Sequence, residues 1–223
     1  MEGDLADEGV IDVEAALKST EYKKYINAVA ELEKVEILSI RQHEKVAFFL
    51  NIYQCMYIHH FLKKIFEEGP LNEESSTDNG GITSGFGFLG SIKQYVFAYS
   101  PKAFYYNIGG IQFNLEEIKH GLLRANVKSP QNYRPSLSSN DFRLNIMNGF
   151  KDPRILFVCE DYPNIPKHMD SFDGSSEDKL DKDLDEFVSL LINHKVNIDL
   201  DQGEIALPKI VQTYFNDFGG TEE

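Results

Sequence analysis

The sequence predicts an α+β domain in which one long central helix packs on a small, mainly antiparallel sheet. Three observations lead to this fold class. A long apolar segment between Ser39 and Glu67 has helical periodicity. Short strand-like segments occur in pairs, which predicts hairpins near residues 104–113 and 196–206. Strands and helices do not alternate in the βαβ order that builds parallel sheets, and this favours α+β over α/β.

The long helix is expected to begin at Ser39 and to end before Gly69 and Pro70, which are common helix-start and helix-stop residues. Its apolar residues form two stripes, one consisting of Val46, Phe49, Leu50, Tyr53, Tyr57 and Phe61, and the other of Phe48, Ile52, Met56, Leu62 and Phe66. A helix that is apolar on two faces is covered on two sides. The pattern therefore places this helix at the centre of the core.

The segment from Tyr105 to Arg124 combines a hairpin with a helix start. Gly109 and Gly110 separate YYNI from IQF, and two adjacent glycines suit a tight turn that needs positive φ. Asn114 is expected to cap the following helix by accepting a hydrogen bond from the backbone N–H of Glu117. The Glu117 side chain is expected to reach back to Asn114, which completes a capping box.

The remaining elements follow from the same rules. An amphipathic helix is expected over Asp12–Glu31. A long loop is expected over Leu71–Gly90, followed by a short strand or helix over Ser91–Phe97. Arg154–Cys159 is expected to be a buried strand, because it is a short apolar run bounded by prolines. The pattern is completed by a helix over Glu177–His194, a hairpin turn at 201–202 and a last helix between Pro208 and Gly219.

Charge and apolar pattern divide the chain into three parts. Residues 1–37 are expected to form an acidic helical extension, because their apolar stripe is thin and their charge is high. Residues 38–219 are expected to form a single domain, and residues 220–223 a disordered tail.

The net charge limits the kinds of partner. The chain has 22 Lys and Arg against 36 Asp and Glu, a formal charge of -14. This balance argues against nucleic acid and anionic membranes, since both favour basic proteins. The two cysteines, Cys55 and Cys159, form no CxxC pair, which indicates a reducing compartment and no structural zinc. We expect no metal and no cofactor. The first residues resemble no secretion leader, so we expect a cytoplasmic location and a protein partner or a neighbouring domain.

Four blocks of sequence occur in the order found in one known family. They are Glu44–His59, Tyr106–Arg124, Asp152–Phe157 and Asn197–Gly219. Together they resemble domain-of-unknown-function family 547 (DUF547), an uncharacterised α+β domain. In eukaryotes, members often lie beside coiled coils, signalling domains or glutaredoxin-like domains. The resemblance therefore raises the expectation that this chain is a piece of a longer protein with a neighbouring domain.

The resemblance also implies a cysteine motif that is eroded here. Relatives usually continue from DPRI into a sequence resembling VCGSxSxP, whereas this chain has FVCEDYPNIP. Cys159 lies two residues after Phe157 along the chain, whereas the family cysteine lies about four residues after the corresponding position. A two-residue shift would keep it on the same face of the expected strand. Glu160 stands where relatives have glycine, and the carboxylates of Glu160 and Asp161 disfavour a thiolate beside them.

The resemblance brings Cys159 and His120 together as a candidate nucleophile and base. A histidine within hydrogen-bond reach lowers the pKa of a thiol, and Glu116 or Glu117 would orient the imidazole. His120 is expected on the polar side of its helix, four residues from both Glu116 and Arg124. The alternative is that His120 belongs to a structural ladder of polar residues and that Cys159 is a small buried side chain.

Five other polar residues are expected to have structural roles. Asn51 and His59 lie on one line of the long helix with a cysteine between them. A cysteine and a histidine supply too few ligands for zinc, so this line is expected to specify the fold. Asp152 is expected to pair with Arg154, close to Asn107 by analogy with the family.

Two classes of function remain open. The first is a non-enzymatic interaction or regulatory module, in effect a pseudoenzyme on a DUF547-like scaffold. The second is a cysteine-dependent hydrolase or transferase of the papain-like reaction type, which would use Cys159 and His120. The eroded cysteine motif favours the first.

Overall fold

The computed structural model describes residues 13–68, 104–130, 133–147, 150–159, 171–199 and 202–220. The helices are α1 (Val13–Lys18), α2 (Thr20–Glu31), α3 (Gln42–Glu68), α4 (Arg154–Val158), α5 (Glu177–Lys195) and α6 (Lys209–Thr213). The strands are β1 (Tyr105–Ile108), β2 (Ile111–Asn114), β3 (Asn197–Asp199) and β4 (Glu204–Ala206). A π-helix spans Glu117–Leu123, and 3-10 helices span Leu32–Lys34, Phe142–Asn145 and Phe215–Phe218.

The α+β fold class is confirmed, with antiparallel hairpins at both expected places. β1 pairs with β2 and β3 pairs with β4, as two separate two-stranded sheets. Helix α3 lies at the centre, and its first apolar stripe is buried from Val46 to Tyr57. The second stripe is covered less completely, since Met56 is buried and Phe66 is exposed.

Helix α3 begins at Gln42, three residues later than expected. The backbone N–H of Arg41 donates to the Glu44 carboxylate at 2.7 Å, and the Arg41 guanidinium donates to the same group at 2.8 Å. A carboxylate near a helix start satisfies donors that have no partner within the helix. Ser39 instead donates through its hydroxyl to the carbonyl of Glu36 at 2.7 Å, before the helix.

The single amino-terminal helix that was expected is divided in two at Ser19. The Ser19 hydroxyl donates to the carbonyl of Ala16 at 2.7 Å and accepts from the backbone N–H of Tyr22 at 3.0 Å. These bonds end α1 and cap α2. A serine that bonds to the neighbouring backbone in this way competes with a continuous helix.

The expected strand at Arg154–Cys159 is wrong, because this segment forms helix α4. Pro153 precedes the helix, and its fixed φ suits a first helical turn. The side chain of Asp152 accepts from the backbone N–H of Arg154 at 2.9 Å. All the apolar residues of α4 are buried, and for so short a run the apolar pattern alone does not distinguish a helix from a strand.

The segment before residue 38 contacts the hairpin of β1 and β2. The backbone N–H of Gly109 donates to the carbonyl of Leu32 at 2.9 Å, and the hydroxyls of Tyr25 and Tyr106 are hydrogen-bonded to each other. A Cβ at Gly109, where φ is +61°, would lie 2.5 Å from the carbonyl oxygen of Val35. The division into an extension, a domain and a tail stays a prediction.

Several expectations concern residues outside the described ranges. They are the amino-terminal residues before Val13, the loop over 71–90, the element over 91–97, the acidic pair Glu160 and Asp161, position 201 of the hairpin turn, and the tail from residue 221. Within the described residues, the structure contains no helix that is long and apolar enough to cross a membrane.

Candidate functional site

The hairpin and helix start between Tyr105 and Arg124 have the expected local geometry. Gly109 and Gly110 both have positive φ, at 61° and 78°, as a tight two-residue turn requires. The capping box is confirmed in both directions. The N–H of Glu117 donates to Asn114 Oδ1 at 2.8 Å, and the N–H of Asn114 donates to Glu117 Oε2 at 3.1 Å.

The helix that follows is a π-helix and is buried almost all round. Only Glu117 of its seven residues is not buried. His120 is therefore buried, and it still contacts Arg124, the polar residue four positions along the chain that its spacing predicts. Rare π-turns occur frequently at functional sites, so the surroundings of His120 are described next.

His120 belongs to a buried clamp made with Arg124 and Asp217. The Arg124 Nη1 atom lies 2.6 Å from His120 Nδ1. The same guanidinium donates to both oxygens of Asp217, from Nε at 3.1 Å and from Nη2 at 2.7 Å. A bidentate pair of this kind fixes the guanidinium plane. The clamp thereby ties the π-helix to the 3-10 helix near the carboxyl terminus.

The ring of Tyr214 covers the clamp. It stacks on His120 with ring centroids 6.2 Å apart, and the Arg124 guanidinium carbon lies 4.8 Å from its centroid. The ammonium of Lys119 lies 5.4 Å from the same centroid. Cations over the face of an aromatic ring are attracted by its quadrupole. Tyr214 therefore stabilises a group of positive charges that is otherwise closed off from water.

Arg124 determines where the His120 proton lies. A guanidinium has only donors, so Nδ1 must accept and carries no proton. The neutral ring then carries its proton on Nε2. Burial, followed by repulsion from Lys119 and Arg124, lowers the pKa of His120 to about 2. At neutral pH one ring nitrogen is occupied as an acceptor and the other is a donor.

The two carboxylates proposed to orient His120 have other surroundings. Glu116 and Glu117 both line a cavity of about 570 Å³, together with Arg134 and Ser136. Glu117 is bonded to Asn114 in the capping box and forms an ion pair of 3.1 Å with Arg143. Glu116 is buried. Arg124 is the side chain that is seen to be hydrogen-bonded to His120.

Cys159 follows the last residue of α4 and is fully buried. Its backbone N–H donates to the carbonyl of Ile155 at 2.9 Å, and its own carbonyl accepts from the Tyr53 hydroxyl at 3.2 Å. Burial and the carboxyl end of a helix both disfavour a thiolate. The other cysteine, Cys55, is exposed on α3.

Asn51 and His59 join α3 to other parts of the fold. The Asn51 amide donates to the carbonyl of Phe172 at 2.9 Å and accepts from its N–H at 2.8 Å. His59 Nδ1 lies 2.7 Å from the Tyr106 hydroxyl, and the ring contacts Phe104 edge-on at 4.9 Å. Burial and the nearby charges lower the pKa of His59 to about 4.

Arg154 makes the expected pair with Asp152 and two further ion pairs. Its Nη2 atom donates to Asp152 at 2.7 Å and to Asp181 at 2.6 Å, and its Nη1 atom donates to Asp185 at 2.6 Å. These contacts join the start of α4 to α5. Asn107 lies on the exposed side of β1.

Sequence reasoning missed Asp217, a member of the clamp, and Tyr214, whose ring covers it. Asp217 lies 93 residues from Arg124 along the chain and Tyr214 lies 90, so no local spacing connects them. The available signal was indirect. A buried arginine needs an acidic partner, and Asp217 lies in the block Asn197–Gly219 that resembles the family.

Comparison with known families identifies the chain. The family model described as "Protein of unknown function, DUF547" matches residues 37–188. The chain belongs to the DUF547 family. The match includes α3, the hairpin of β1 and β2, the π-helix and α4, and it ends within α5. Comparisons with curated proteins and with solved structures gave no match. In the described part of this DUF547 chain, no three His, Cys, Asp or Glu side chains are grouped as a metal site requires.

The buried histidines predict how stability depends on pH. An unfolded histidine has a pKa of about 6.5, whereas the pKa of His59 is lowered to about 4 and that of His120 to about 2. Between pH 6.5 and 4 the unfolded chain therefore binds more protons. The free energy of unfolding should therefore decrease as the pH is lowered through this range, by up to about 1.4 kcal/mol per pH unit for each histidine.

Urea denaturation at about pH 5, 6 and 7 measures this slope in the parent chain and in His120→Gln. We expect a shallower slope in the variant, since glutamine does not titrate. Equal slopes would contradict a buried neutral His120.

Proposed function

We propose that this DUF547 chain is a non-enzymatic interaction or regulatory module that works on a protein partner or a neighbouring domain in the cytoplasm. The main support is the hydrogen bond from Arg124 to His120. A thiol needs a base with a free lone pair, and the Nδ1 lone pair of His120 is already directed at Arg124.

The remaining members of the alternative catalytic set support the same proposal. Cys159 is fully buried at the carboxyl end of α4, where neither a helix dipole nor water favours a thiolate. Glu117 is bonded in the capping box and to Arg143. Two residues that a hydrolase would use, His120 and Glu117, are thus engaged in contacts that hold the scaffold together.

Thiol alkylation tests the proposal directly. The background is Cys55→Ala, because exposed Cys55 would react first with iodoacetamide. In this background we expect Cys159 to react slowly in the native state and much faster in urea, and His120→Gln not to slow the native reaction, since loss of an activating base would slow it whereas a less stable clamp would not. The matched control is the reverse background, Cys159→Ala, in which Cys55 gives the rate of an accessible thiol that is not activated, since burial raises the pKa of Cys55.

A contrary result is equally specific. Rapid native alkylation of Cys159 below about pH 7, abolished by His120→Gln, would establish an activated thiol and replace our proposal with the cysteine hydrolase.

A further inference from the structure

The hairpin of β3 and β4 exposes an apolar face. Ile198 and Ile205 are directly opposite each other in the register, and they are 58% and 63% exposed. Leu207 follows two residues after Ile205, the spacing that keeps side chains on one side of an extended chain, and it is 61% exposed. We call Ile198, Ile205 and Leu207 the hairpin face. Branched apolar side chains grouped in this way mark interaction surfaces.

The opposite side of the same hairpin is acidic. Asp199 and Glu204 form the neighbouring cross-strand pair, so their side chains point away from the hairpin face. Asp199 Oδ1 accepts a hydrogen bond from the backbone N–H of Gln202 at 3.0 Å, whereas Glu204 is exposed and offers a negative charge to a cation of another chain. The whole chain has a charge of -14, which adds attraction for a basic segment.

The hairpin also has the architecture for strand addition. Among the residues that the structure describes, it is a two-stranded sheet, so each strand has one edge that the other strand does not cover. A two-stranded sheet is marginal by itself, and a third strand adds main-chain hydrogen bonds. Side chains of an added strand alternate between the two sides of the sheet. One side offers the hairpin face, and the other offers the acidic pair.

We propose that the hairpin of β3 and β4 binds an extended segment of a partner protein in which branched apolar residues alternate with lysine or arginine. The inference rests on the proposed function and names the partner's chemistry. A second copy of this chain is disfavoured as the occupant, because it would bring another charge of -14 and the same acidic pair.

The test begins with selection of displayed random peptides, about ten residues long, on the whole chain at low salt. Selected peptides are then titrated by fluorescence anisotropy against the parent, Ile205→Lys and Leu38→Lys. Leu38 is 66% exposed and lies outside the hairpin, so Leu38→Lys adds the same charge at another exposed apolar position. Leu207→Lys serves as a second hairpin variant, and circular dichroism checks that each variant is folded.

We expect selected peptides to alternate apolar and basic residues. Ile205→Lys and Leu207→Lys should weaken binding at least about tenfold, and Leu38→Lys less than about twofold. Affinity should fall between about 50 and 200 mM salt. Amide hydrogen exchange in β3 or β4 should slow on binding, as strand addition requires.

Four results would overturn the inference: no enriched peptides, enrichment of acidic peptides, equal binding by Ile205→Lys, or a dimer that Ile205→Lys dissociates. None of these affects the thiol experiment. A failed docking test with an inert Cys159 would leave the non-enzymatic proposal standing without this surface. An activated Cys159 would remove the proposed function whatever the peptides do.

Discussion

Replacement of Phe49 by alanine should lower the free energy of unfolding by about 3–5 kcal/mol, as full truncation of a buried aromatic side chain commonly does. Phe49 is fully buried on α3. Its ring contacts Phe113 on β2 with centroids 5.7 Å apart, and it also contacts Phe48 at 5.3 Å. The substitution removes apolar surface that folding buries away from water, and it leaves a cavity between the central helix and the hairpin.

Guanidinium denaturation of the parent and the variant measures this loss, provided that the dependence of the free energy of unfolding on denaturant concentration is the same in both. Ile58→Ala on the same helix is the control, because Ile58 is exposed and its truncation should cost less than about 1 kcal/mol. Leu50→Ala, at a second fully buried position, should cost about 2–5 kcal/mol. A loss below about 0.5 kcal/mol in Phe49→Ala would show that the buried stripe of α3 is assigned to the wrong face.

Local rules explain why parts of this fold could be predicted from the sequence. The turn at Gly109 and Gly110 needs only positive φ, and the capping box of Asn114 and Glu117 involves residues three apart. The stripe of α3 repeats over many turns. In each case the residues that decide the structure are neighbours along the chain.

Other parts depend on distant residues or on an unusual helix. Arg154–Val158 is an apolar run buried throughout, and such a run has no periodicity that separates helix from strand. The helix around His120 is a π-helix that is buried almost all round, and its i→i+5 hydrogen bonding has no signature in the apolar pattern. Asp217 reaches Arg124 only through tertiary packing, so the clamp could not be found from spacing.

The clamp provides the second large effect, since loss of Asp217 should cost about 3–5 kcal/mol. The side chain of Arg124 is 3% exposed, whereas that of Asp217 is 21% exposed. Asp217→Leu therefore leaves a guanidinium buried without its counterion, and an uncompensated buried charge is strongly destabilising. The matched control is Asp185→Leu, which also removes a carboxylate from an arginine. Asp185 is 66% exposed, so its pair with Arg154 should contribute less than about 1 kcal/mol.

A double-mutant cycle separates the charge from the packing. Arg124→Met combined with Asp217→Leu removes both charges, and the double variant should be more stable than Asp217→Leu alone by at least about 1 kcal/mol. The histidine supplies an independent measurement. With methionine at position 124, Nδ1 loses its donor and a nearby positive charge, so the pKa of His120 should rise from about 2 in NMR titrations of folded protein. Additive free energies, together with an unchanged histidine titration, would show that Arg124 and Asp217 do not act as a unit and that the proton position of His120 has another cause.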